Sequence, residues 1–273
     1  MSEVITVEVN DHIADVRLNR PDKMNALSFE FLDQITEVGK RLALDRSIRA
    51  VVLSGNGRSF CAGMDVENFS GGFPEQPFPD GFGGFYPNFY QAPGYVWKNM
   101  PVPVICAIQG AAVGGGLQIA LGADIRVAHT NSKFSIMEIR WGMIPDMSGS
   151  QSLRDLVGID VAKEMMFTGR LVDAEEADRL GLVTYLDDSP YERAMQIAKA
   201  IAGNNPDAIT YGKYLFENAW HGDSTEGLRM EEKLQEKIFG SKDHMEAIAA
   251  QIEGRSPNFS NRKIRDYSEL FLD

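Results

Sequence analysis

The sequence predicts an α/β fold over residues 1–200, followed by a helical C-terminal region over residues 201–273. Short β-branched segments alternate with segments of helical spacing in the first part, and such alternation is typical of parallel strands joined by crossover helices. From residue 189 onward, the apolar residues recur at helical spacing only. The chain has 273 residues, of which 44% are hydrophobic and 24% charged, and this composition suffices to bury a full core.

The first 55 residues predict two strands, a helix and a third strand. Alternating segments at 4–9 and 13–18 flank a short polar turn, which is a two-strand pattern. Ser28 is a candidate N-cap, because the apolar residues that follow it recur near helical spacing. A β-branched strand at 49–53 ends at the turn-forming segment Ser-Gly-Asn-Gly.

Residues 69–94 combine glycine, proline and aromatic residues without a helical or strand period. Disordered segments are usually poor in aromatic residues, so this composition predicts a loop or lid rather than a free linker. Either a functional lid or a loop packed on its own surface or on a neighbouring subunit is compatible with it.

The middle of the chain predicts a buried strand at 102–108 and then a glycine-rich turn at Gly114-Gly115-Gly116. A helix is expected directly after this turn, at 117–121. Asp173, followed three residues later by Glu176, predicts the start of another helix. Further strands are expected at 125–128, 133–136 and 182–186.

Cap residues mark the C-terminal helices. Ser189-Pro190 and Asn205-Pro206 each place a candidate N-cap before a proline of the first turn. Two further helices are expected at 224–239 and 243–253. The glycines beyond the helix ends are Gly203, Gly240 and Gly254.

Composition and charge exclude several functions. The chain has 27 Lys and Arg against 39 Asp and Glu, and its net charge of −12 opposes general binding to nucleic acid or anionic membranes. No apolar stretch approaches the ~18 residues of a membrane span, and the N-terminus lacks a signal-peptide pattern. Cys61 and Cys106 sit in apolar runs and are expected to be reduced, buried thiols. We therefore expect a cytoplasmic protein.

The local motifs of several enzyme classes are missing. The sequence has no G-x-S-x-G, complete G-x-G-x-x-G, G-x-x-x-x-G-K-[ST], C-x-x-C or H-E-x-x-H motif. We therefore expect no hydrolase elbow, no P-loop, no Rossmann cofactor and no metal site.

Two glycine-bearing turns are the candidates for chemistry. Residues 59–65 follow a strand, and Gly114-Gly115-Gly116 lies between a strand and a helix. Small residues let a substrate approach the backbone, and amides at a helix N-terminus favour negative charge. If the two turns face each other, they can give two N–H donors to one oxygen, as an oxyanion hole does. Tight packing of helix against strand is the alternative explanation of the triple glycine.

Four segments, taken in order, resemble the crotonase (enoyl-CoA hydratase/isomerase) superfamily over most of the chain. They are RPDKMNAL at 20–27, FCAGMD at 60–65, PVPV at 101–104 running into GAAVGGG at 110–116, and FTG at 167–169 with AEEA at 174–177 and GLV at 181–183. The resemblance implies a ClpP/crotonase-like spiral of β-β-α turns with a C-terminal helical trimerisation region. It also implies an acyl-CoA substrate and a homotrimer or dimer of trimers. No separate cofactor is implied, because coenzyme A is part of the substrate.

The resemblance implies roles for individual residues as well. The amides of Met64 and Gly115 correspond to the oxyanion donors that polarise the thioester carbonyl so that an enolate can form. The residues that correspond to the lining of the adenine and pantetheine of CoA are Lys23, Met24, Ala26, Ala62 and Asp65.

The carboxylates decide which reaction the resemblance implies. Enoyl-CoA hydratases have two glutamates that hold and split a water; Glu138 matches one of them, and Gln118 replaces the other. Asp146, eight residues after Glu138, is similar to an acid of the dienoyl-CoA isomerases, which move a proton along a conjugated diene. The match to these isomerases is two acids of three. Chlorobenzoyl-CoA dehalogenases also have this aspartate, but their tryptophan at the position of Glu138 argues against dehalogenation.

The leading hypothesis is therefore double-bond isomerisation in an unsaturated acyl-CoA by a proton shuttle between Glu138 and Asp146. The alternatives are hydration of a 2-enoyl-CoA by Glu138 with Gln118 placing the water, hydrolysis of an acyl-CoA, and binding of acyl-CoA without turnover. Without the resemblance, Glu138 and Asp146 would be surface loop carboxylates, or Asp146 would be the N-cap of a helix at 150–157.

Two further positions carry weaker expectations. Trp141 either walls the acyl pocket or packs in the core. Ser260 stands where relatives offer a lysine to the CoA phosphates, and Arg262 and Lys263 lie close enough in sequence to replace it.

Overall fold

The computed structural model describes residues 4–70 and 87–270. Its strands are β1 (Ile5–Asn10), β2 (Ile13–Leu18), β3 (Ala50–Gly55), β4 (Val104–Ile108), β5 (Ala111–Val113), β6 (Ile125–Ala128), β7 (Lys133–Ser135), β8 (Val172–Asp173) and β9 (Tyr185–Leu186). Its helices are α1 (Phe29–Leu44), α2 (Glu67–Ser70), α3 (Ala92–Lys98), α4 (Gly115–Leu121), α5 (Gly149–Leu153), α6 (Ile159–Thr168), α7 (Ala174–Leu180), α8 (Pro190–Ala202), α9 (Pro206–Ala219), α10 (Ser224–Ile238) and α11 (Lys242–Glu253).

The described strands form two sheets. The larger has the order β1-β2-β3-β4-β6-β9, antiparallel between β1 and β2 and parallel elsewhere. In the smaller sheet, β7 pairs with β5 in parallel and with β8 antiparallel. The parallel pairs require crossover connections, and helices supply most of them, as the alternation in the sequence predicts.

The larger sheet is covered on both faces. Val51 and Leu53 of β3 belong to the main core cluster, whereas the intervening Ala50 and Val52 belong to a second cluster that includes Ala194 of α8. Successive side chains of a strand point to opposite faces, so a strand covered on both sides must be apolar throughout. This explains why β3 and β4 form continuous apolar runs in the sequence.

Side-chain caps fix most of the predicted helix starts. Ser28 Oγ accepts a hydrogen bond from Phe31 N at 3.2 Å, and Asp173 Oδ1 accepts one from Glu176 N at 2.8 Å. Asn205 Oδ1 accepts from the amides of the first turn of α9. These starts are confirmed. Ser189 precedes α8 as predicted, but it makes no side-chain cap hydrogen bond, and Pro190 begins that helix.

Several predicted elements are wrong in extent or place. Both ends of the predicted loop at 69–94 are helical instead, because α2 extends to Ser70 and α3 begins at Ala92. Residues 71–86 lie outside the described part of the chain. The predicted strand at 182–186 shortens to β9, since the N–H groups of Leu182 and Val183 donate to Ala177 O at the end of α7.

Several elements were not predicted, and β5 and α6 are two of them. Residues 111–113 form β5 within the segment assigned to the glycine turn, where pairing with β7 stabilises them as a strand. Helix α6 has Met165 as its buried residue, so its sequence shows no wide apolar face.

The C-terminal helices contain an apolar cluster of their own. Its buried members are Tyr211, Leu234, Ile238, Ile264 and Leu270. No helix among the described residues is long and apolar enough to cross a membrane. Both cysteines are buried and free, as expected for structural thiols.

Candidate active site

The two glycine-bearing turns lie against each other. Cys61 N donates to Ala111 O at 2.9 Å, and Val113 N donates to Cys61 O at 3.1 Å, so residues 59–65 run beside β5. Gly63 and Gly114 both have positive φ, of 84° and 55°. A Cβ placed on Gly63 would lie 3.0 Å from Val113 O, and one on Gly114 would lie 3.9 Å from Gly63 Cα. Glycine therefore provides both the backbone conformation and the close approach.

The amides of Met64 and Gly115 follow directly after these two glycines. Leu27 pairs with the residues that flank Met64, accepting from Asp65 N at 2.9 Å and donating to Gly63 O at 2.8 Å. In a parallel bridge of this kind, the N–H of Met64 itself points away from Leu27. Gly115 is the first residue of α4, so its N–H has no acceptor within the helix. Their role as oxyanion donors stays a prediction.

The residues predicted to line the CoA site also come together. Residues 21–23 form a 3-10 turn, after which Met24 and Asn25 have left-handed backbones with φ of 50° and 55°. Met24 O accepts from Ala62 N at 3.0 Å, and Ala26 N donates to Lys23 O at 3.0 Å. The segment 23–26 thus lies beside Ala62.

Asn25 holds this segment in place and was not singled out from the sequence. It is fully buried, and its Nδ2 donates to Ser59 O and Phe60 O, both at 3.0 Å. Its Oδ1 accepts from Arg20 N at 2.8 Å. Its residue type was the one indication in the sequence, because asparagine adopts the left-handed backbone conformation more readily than most residues.

Asp65 is a buried carboxylate with positive partners. Its Oδ2 accepts from Arg20 Nη2 at 3.0 Å and lies 3.6 Å from Lys23 Nζ. Burial alone would raise the pKa of Asp65. The hydrogen bond from Glu67 N, the hydrogen bond from Arg20 and the two positive charges outweigh burial, so the pKa is lowered.

Glu138 is a buried carboxylate without a positive partner among the described residues. It begins a 3-10 turn, Glu138–Trp141, just after β7, and it is 8% exposed. Its Oε1 accepts from Gln118 Nε2 at 2.5 Å, whereas its Oε2 is buried and has no hydrogen-bond partner in the described part of the chain. A Cβ on Gly114 would lie 3.6 Å from Oε1, so the carboxylate stands beside the candidate oxyanion turn.

The pKa of Glu138 is raised. Burial is the main cause, and the negative charge of Asp146 adds to it. The backbone N–H groups of Glu138 and Met137 and the hydrogen bond from Gln118 oppose the shift. A buried carboxylate with a raised pKa and an unpartnered oxygen is suited to accept and release a proton.

Gln118 is 1% exposed and bonds to protein groups through both ends of its amide. Its Oε1 accepts from Met147 N at 2.8 Å and from Gly149 N at 3.0 Å, while its Nε2 donates to Glu138. The structure thus gives Gln118 a contact with a catalytic candidate, and its contact with substrate or water stays a prediction.

Asp146 lines a recess of about 320 Å³, together with Gln91, Tyr95, Ser148 and Gln151. Asp146 is exposed as a whole residue, yet burial of its carboxylate raises its pKa. Its charge also raises the pKa of Tyr90, where burial is the larger cause. Asp146 is not a helix N-cap, because α5 begins after Ser148.

Two expectations about flanking residues are corrected. Trp141 is 57% exposed, which excludes core packing; its role as a wall of the acyl pocket is untested. Arg262 is 1% exposed, and its guanidinium donates to the carbonyl oxygens of Ile264, Arg265 and Asp45. Burial lowers its pKa to about 10. Arg262 therefore fastens the C-terminal segment and cannot meet a phosphate.

Lys263 remains a candidate for a CoA phosphate, since its side chain is exposed and its Nζ lies 3.7 Å from Asp207 Oδ2. Across the described ranges, no group of three or more His, Cys, Asp or Glu side chains is arranged to hold a metal ion.

Comparison with known proteins gives consistent results. The family model described as enoyl-CoA hydratase/isomerase matches residues 8–262. An enoyl-CoA hydratase of Mycobacterium tuberculosis is 33% identical over 258 residues, which cover 94% of this chain and 96% of that protein. A mitochondrial methylglutaconyl-CoA hydratase of Mus musculus is 30% identical over 259 residues, covering 92% and 81%. The crystal structure of an enoyl-CoA hydratase from Bacillus anthracis matches with a TM-score of 0.85 and 31% identity, covering 94% and 99%. These likenesses confirm the predicted fold class.

Proposed function

The chain belongs to the enoyl-CoA hydratase/isomerase family, and on this premise we propose that it moves a double bond within an unsaturated acyl-CoA thioester. One observation carries the proposal. The buried Glu138, whose Oε2 has no partner among the described residues, stands beside the turn at Gly114 and within the electrostatic reach of a second acid, Asp146.

The first step is polarisation of the thioester. Its carbonyl oxygen accepts hydrogen bonds from the N–H groups of Met64 and Gly115. These donors are fixed in the backbone and need no reorganisation as negative charge develops on the oxygen. Loss of one such donor typically lowers the rate by about 10²–10³-fold.

The second step is proton transfer. Glu138 Oε2 takes a proton from the acyl chain, and the electrons of the broken C–H bond spread through the conjugated system onto the thioester oxygen. Asp146, whose raised pKa favours the protonated form, enters the step as a carboxylic acid and gives its proton to the far end of that system. The substrate loses one proton and gains one, so only its double bonds move. Asp146 is exposed as a residue, so its carboxyl can regain a proton from solvent, and Glu138 passes its own proton to water after the product has left.

Hydration of a 2-enoyl-CoA is the second candidate, because relatives over nearly the whole chain are named hydratases. In that reaction Glu138 activates a water, and the proton returns to the α carbon. One feature of the site favours isomerisation instead. The amide of Gln118 is bonded to the backbone at its oxygen and to Glu138 at its nitrogen, and it cannot act as a second acid.

We also propose that the C-terminal helices assemble the chain into a homotrimer or a dimer of trimers. Large apolar side chains are exposed along them, among them Phe216, Trp220, Leu228 and Ile252. Such surface is expected to be covered by another subunit. Sedimentation equilibrium would give three or six times the chain mass, whereas the chain mass alone would contradict the assembly.

Asp146→Asn is the experiment that tests the two-acid mechanism. The substitution preserves shape and removes the proton donor, so isomerisation of a 3,5-dienoyl-CoA should fall by about 10²-fold or more. Hydration of a 2-enoyl-CoA, if it is present, should change little. Asp33→Asn, on the exposed face of α1, is the matched control. Unchanged isomerisation in Asp146→Asn would exclude the shuttle, and hydration as the sole activity would favour the second candidate.

A further inference from the structure

We propose that Gln118 is a positioning residue: one amide selects the oxygen of Glu138 that carries the proton and holds the loop that bears Asp146. The inference rests on the proposed function, because it gives Gln118 a task within the same proton transfer.

The hydrogen bonds fix the orientation of the Gln118 amide. Backbone N–H groups can only donate, so the two that point at this side chain, from Met147 and Gly149, require its oxygen to face them. The Nε2 group must then face Glu138, to which it donates at 2.5 Å. A side chain that is 1% exposed and makes three such bonds has a single usable orientation.

This orientation distinguishes the two oxygens of Glu138. The donated N–H stabilises negative charge on Oε1 and competes with a proton on that atom. Oε2 is buried and has no partner among the described residues, so it is the oxygen that gains from binding a proton. The proton therefore arrives at and leaves from Oε2.

The same amide fixes the loop that follows Asp146. Its two backbone bonds hold Met147 and Gly149, and between them Ser148 has a left-handed φ of 68°, which is uncommon for serine. The loop is packed tightly, because a Cβ on Gly149 would lie 2.7 Å from Gln118 Oε1 and one on Gly94 would lie 2.5 Å from Met147 O. The placement of Asp146 relative to Glu138 thus depends in part on the side chain of Gln118.

Two substitutions separate the two tasks of Gln118. Gln118→Glu keeps the acceptor for both backbone N–H groups, but it donates to Glu138 only while the new carboxyl is protonated. Gln118→Met removes the acceptor and the donor together. Among the described residues, the charge that acts on Glu138 is that of Asp146, and Asp146 is unchanged in both variants.

The kinetic test is the ratio of wild-type kcat to variant kcat as a function of pH, measured on whichever acyl-CoA the wild type turns over. For Gln118→Glu the ratio should grow as pH rises, because the pair of carboxyls loses the proton that it shares and the two charges repel. For Gln118→Met the pKa of Glu138 should rise, so the ratio should be largest at low pH and should settle near 10²-fold at high pH. KM should change by no more than about threefold in both. Flat ratios in both variants would mean that Gln118 only supports the fold.

A second readout is independent of turnover. The carboxyl infrared band that Glu138→Gln removes identifies Glu138, and it can be titrated in each Gln118 variant. We expect Glu138 to titrate in a single step in the wild type, in a single step at higher pH in Gln118→Met, and in two coupled steps in Gln118→Glu.

An unchanged Glu138 titration in both variants would overturn the inference even if the enzyme is active. Failure of both acyl-CoA assays with shifted titrations would instead overturn the proposed function alone. If Gln118→Met does not fold, the isosteric Gln118→Glu still decides between these results.

Discussion

Asp65 and Glu138 are two nearly buried carboxylates whose surroundings differ in charge. Asp65 is 6% exposed and has Arg20 and Lys23 beside it. Glu138 is 8% exposed and has a neutral amide on one oxygen and the negative charge of Asp146 in reach. The pKa is lowered at Asp65 and raised at Glu138.

The difference separates a carboxylate that supports the structure from one that is suited to chemistry. A buried charge with partners stabilises the geometry around it, and here it connects the segment at 20–26 to the turn at 59–65. A buried charge without a positive partner is unfavourable in the folded state, and such groups concentrate where proton transfer takes place. Replacement of the carboxylate by its amide should therefore lower the stability of the fold at Asp65 and leave it equal or higher at Glu138.

The largest effect is expected for Glu138→Gln. The amide keeps an acceptor for Gln118 Nε2 but cannot take a proton, so kcat should fall by about 10²–10⁴-fold. Steady-state kinetics on the purified variant gives the number. Activity within threefold of the wild type would show that Glu138 is not the base.

The next effect concerns stability at Asp65→Asn. Loss of the charge weakens hydrogen bonds from Arg20 and Glu67, and bonds to a charged group contribute on the order of 1.5–3 kcal/mol each. The free energy of unfolding in urea should fall accordingly at pH 7. Glu138→Gln is the matched control, since the same chemical change there should leave the protein equally stable or more stable. Equal losses in the two variants would contradict the comparison.

The smallest effect is the pH dependence of these stability differences. The raised pKa of Glu138 means that its contribution is present below the ordinary pKa and is lost as pH rises through the raised value. The melting temperature of Glu138→Gln should therefore rise relative to that of the wild type as pH rises.

Asp65 has a lowered pKa, so its contribution to stability is present above the ordinary pKa and is lost as pH falls through the lowered value. The deficit of Asp65→Asn should shrink in acid. The measurement is the melting temperature of each variant relative to the wild type, obtained by calorimetry across pH 3–8. If this difference changes with pH in the same way in both variants, the proposed contrast between Asp65 and Glu138 is wrong.

The features that the sequence could predict are local ones. The strands at 13–18 and 125–128 have the predicted bounds, and the caps at Ser28 and Asp173 make the predicted bonds, because period and capping depend on neighbouring residues. The fold class was also predictable from the four segments that resemble the crotonase superfamily, since their order along the chain is itself specific.

Features that depend on contacts between distant segments could not be predicted. Gln118 meets Glu138 and the backbone of residues 147–149 only because β5 and β7 pair in one register and the following loops turn back together. The burial of Arg262 is of the same kind, since a basic residue near the C-terminus gives no sign that the carbonyl oxygens of Asp45 and Ile264 will enclose it.

A paired ultraviolet assay of the wild-type protein tests the central claim most directly. One cuvette would hold a short 2-enoyl-CoA and the other a 3,5-dienoyl-CoA. The proposed shuttle between Glu138 and Asp146 predicts growth of conjugated 2,4-dienoyl absorbance in the second cuvette. Loss of enoyl absorbance in the first cuvette alone, with the second unchanged, would contradict the shuttle and make the protein a hydratase.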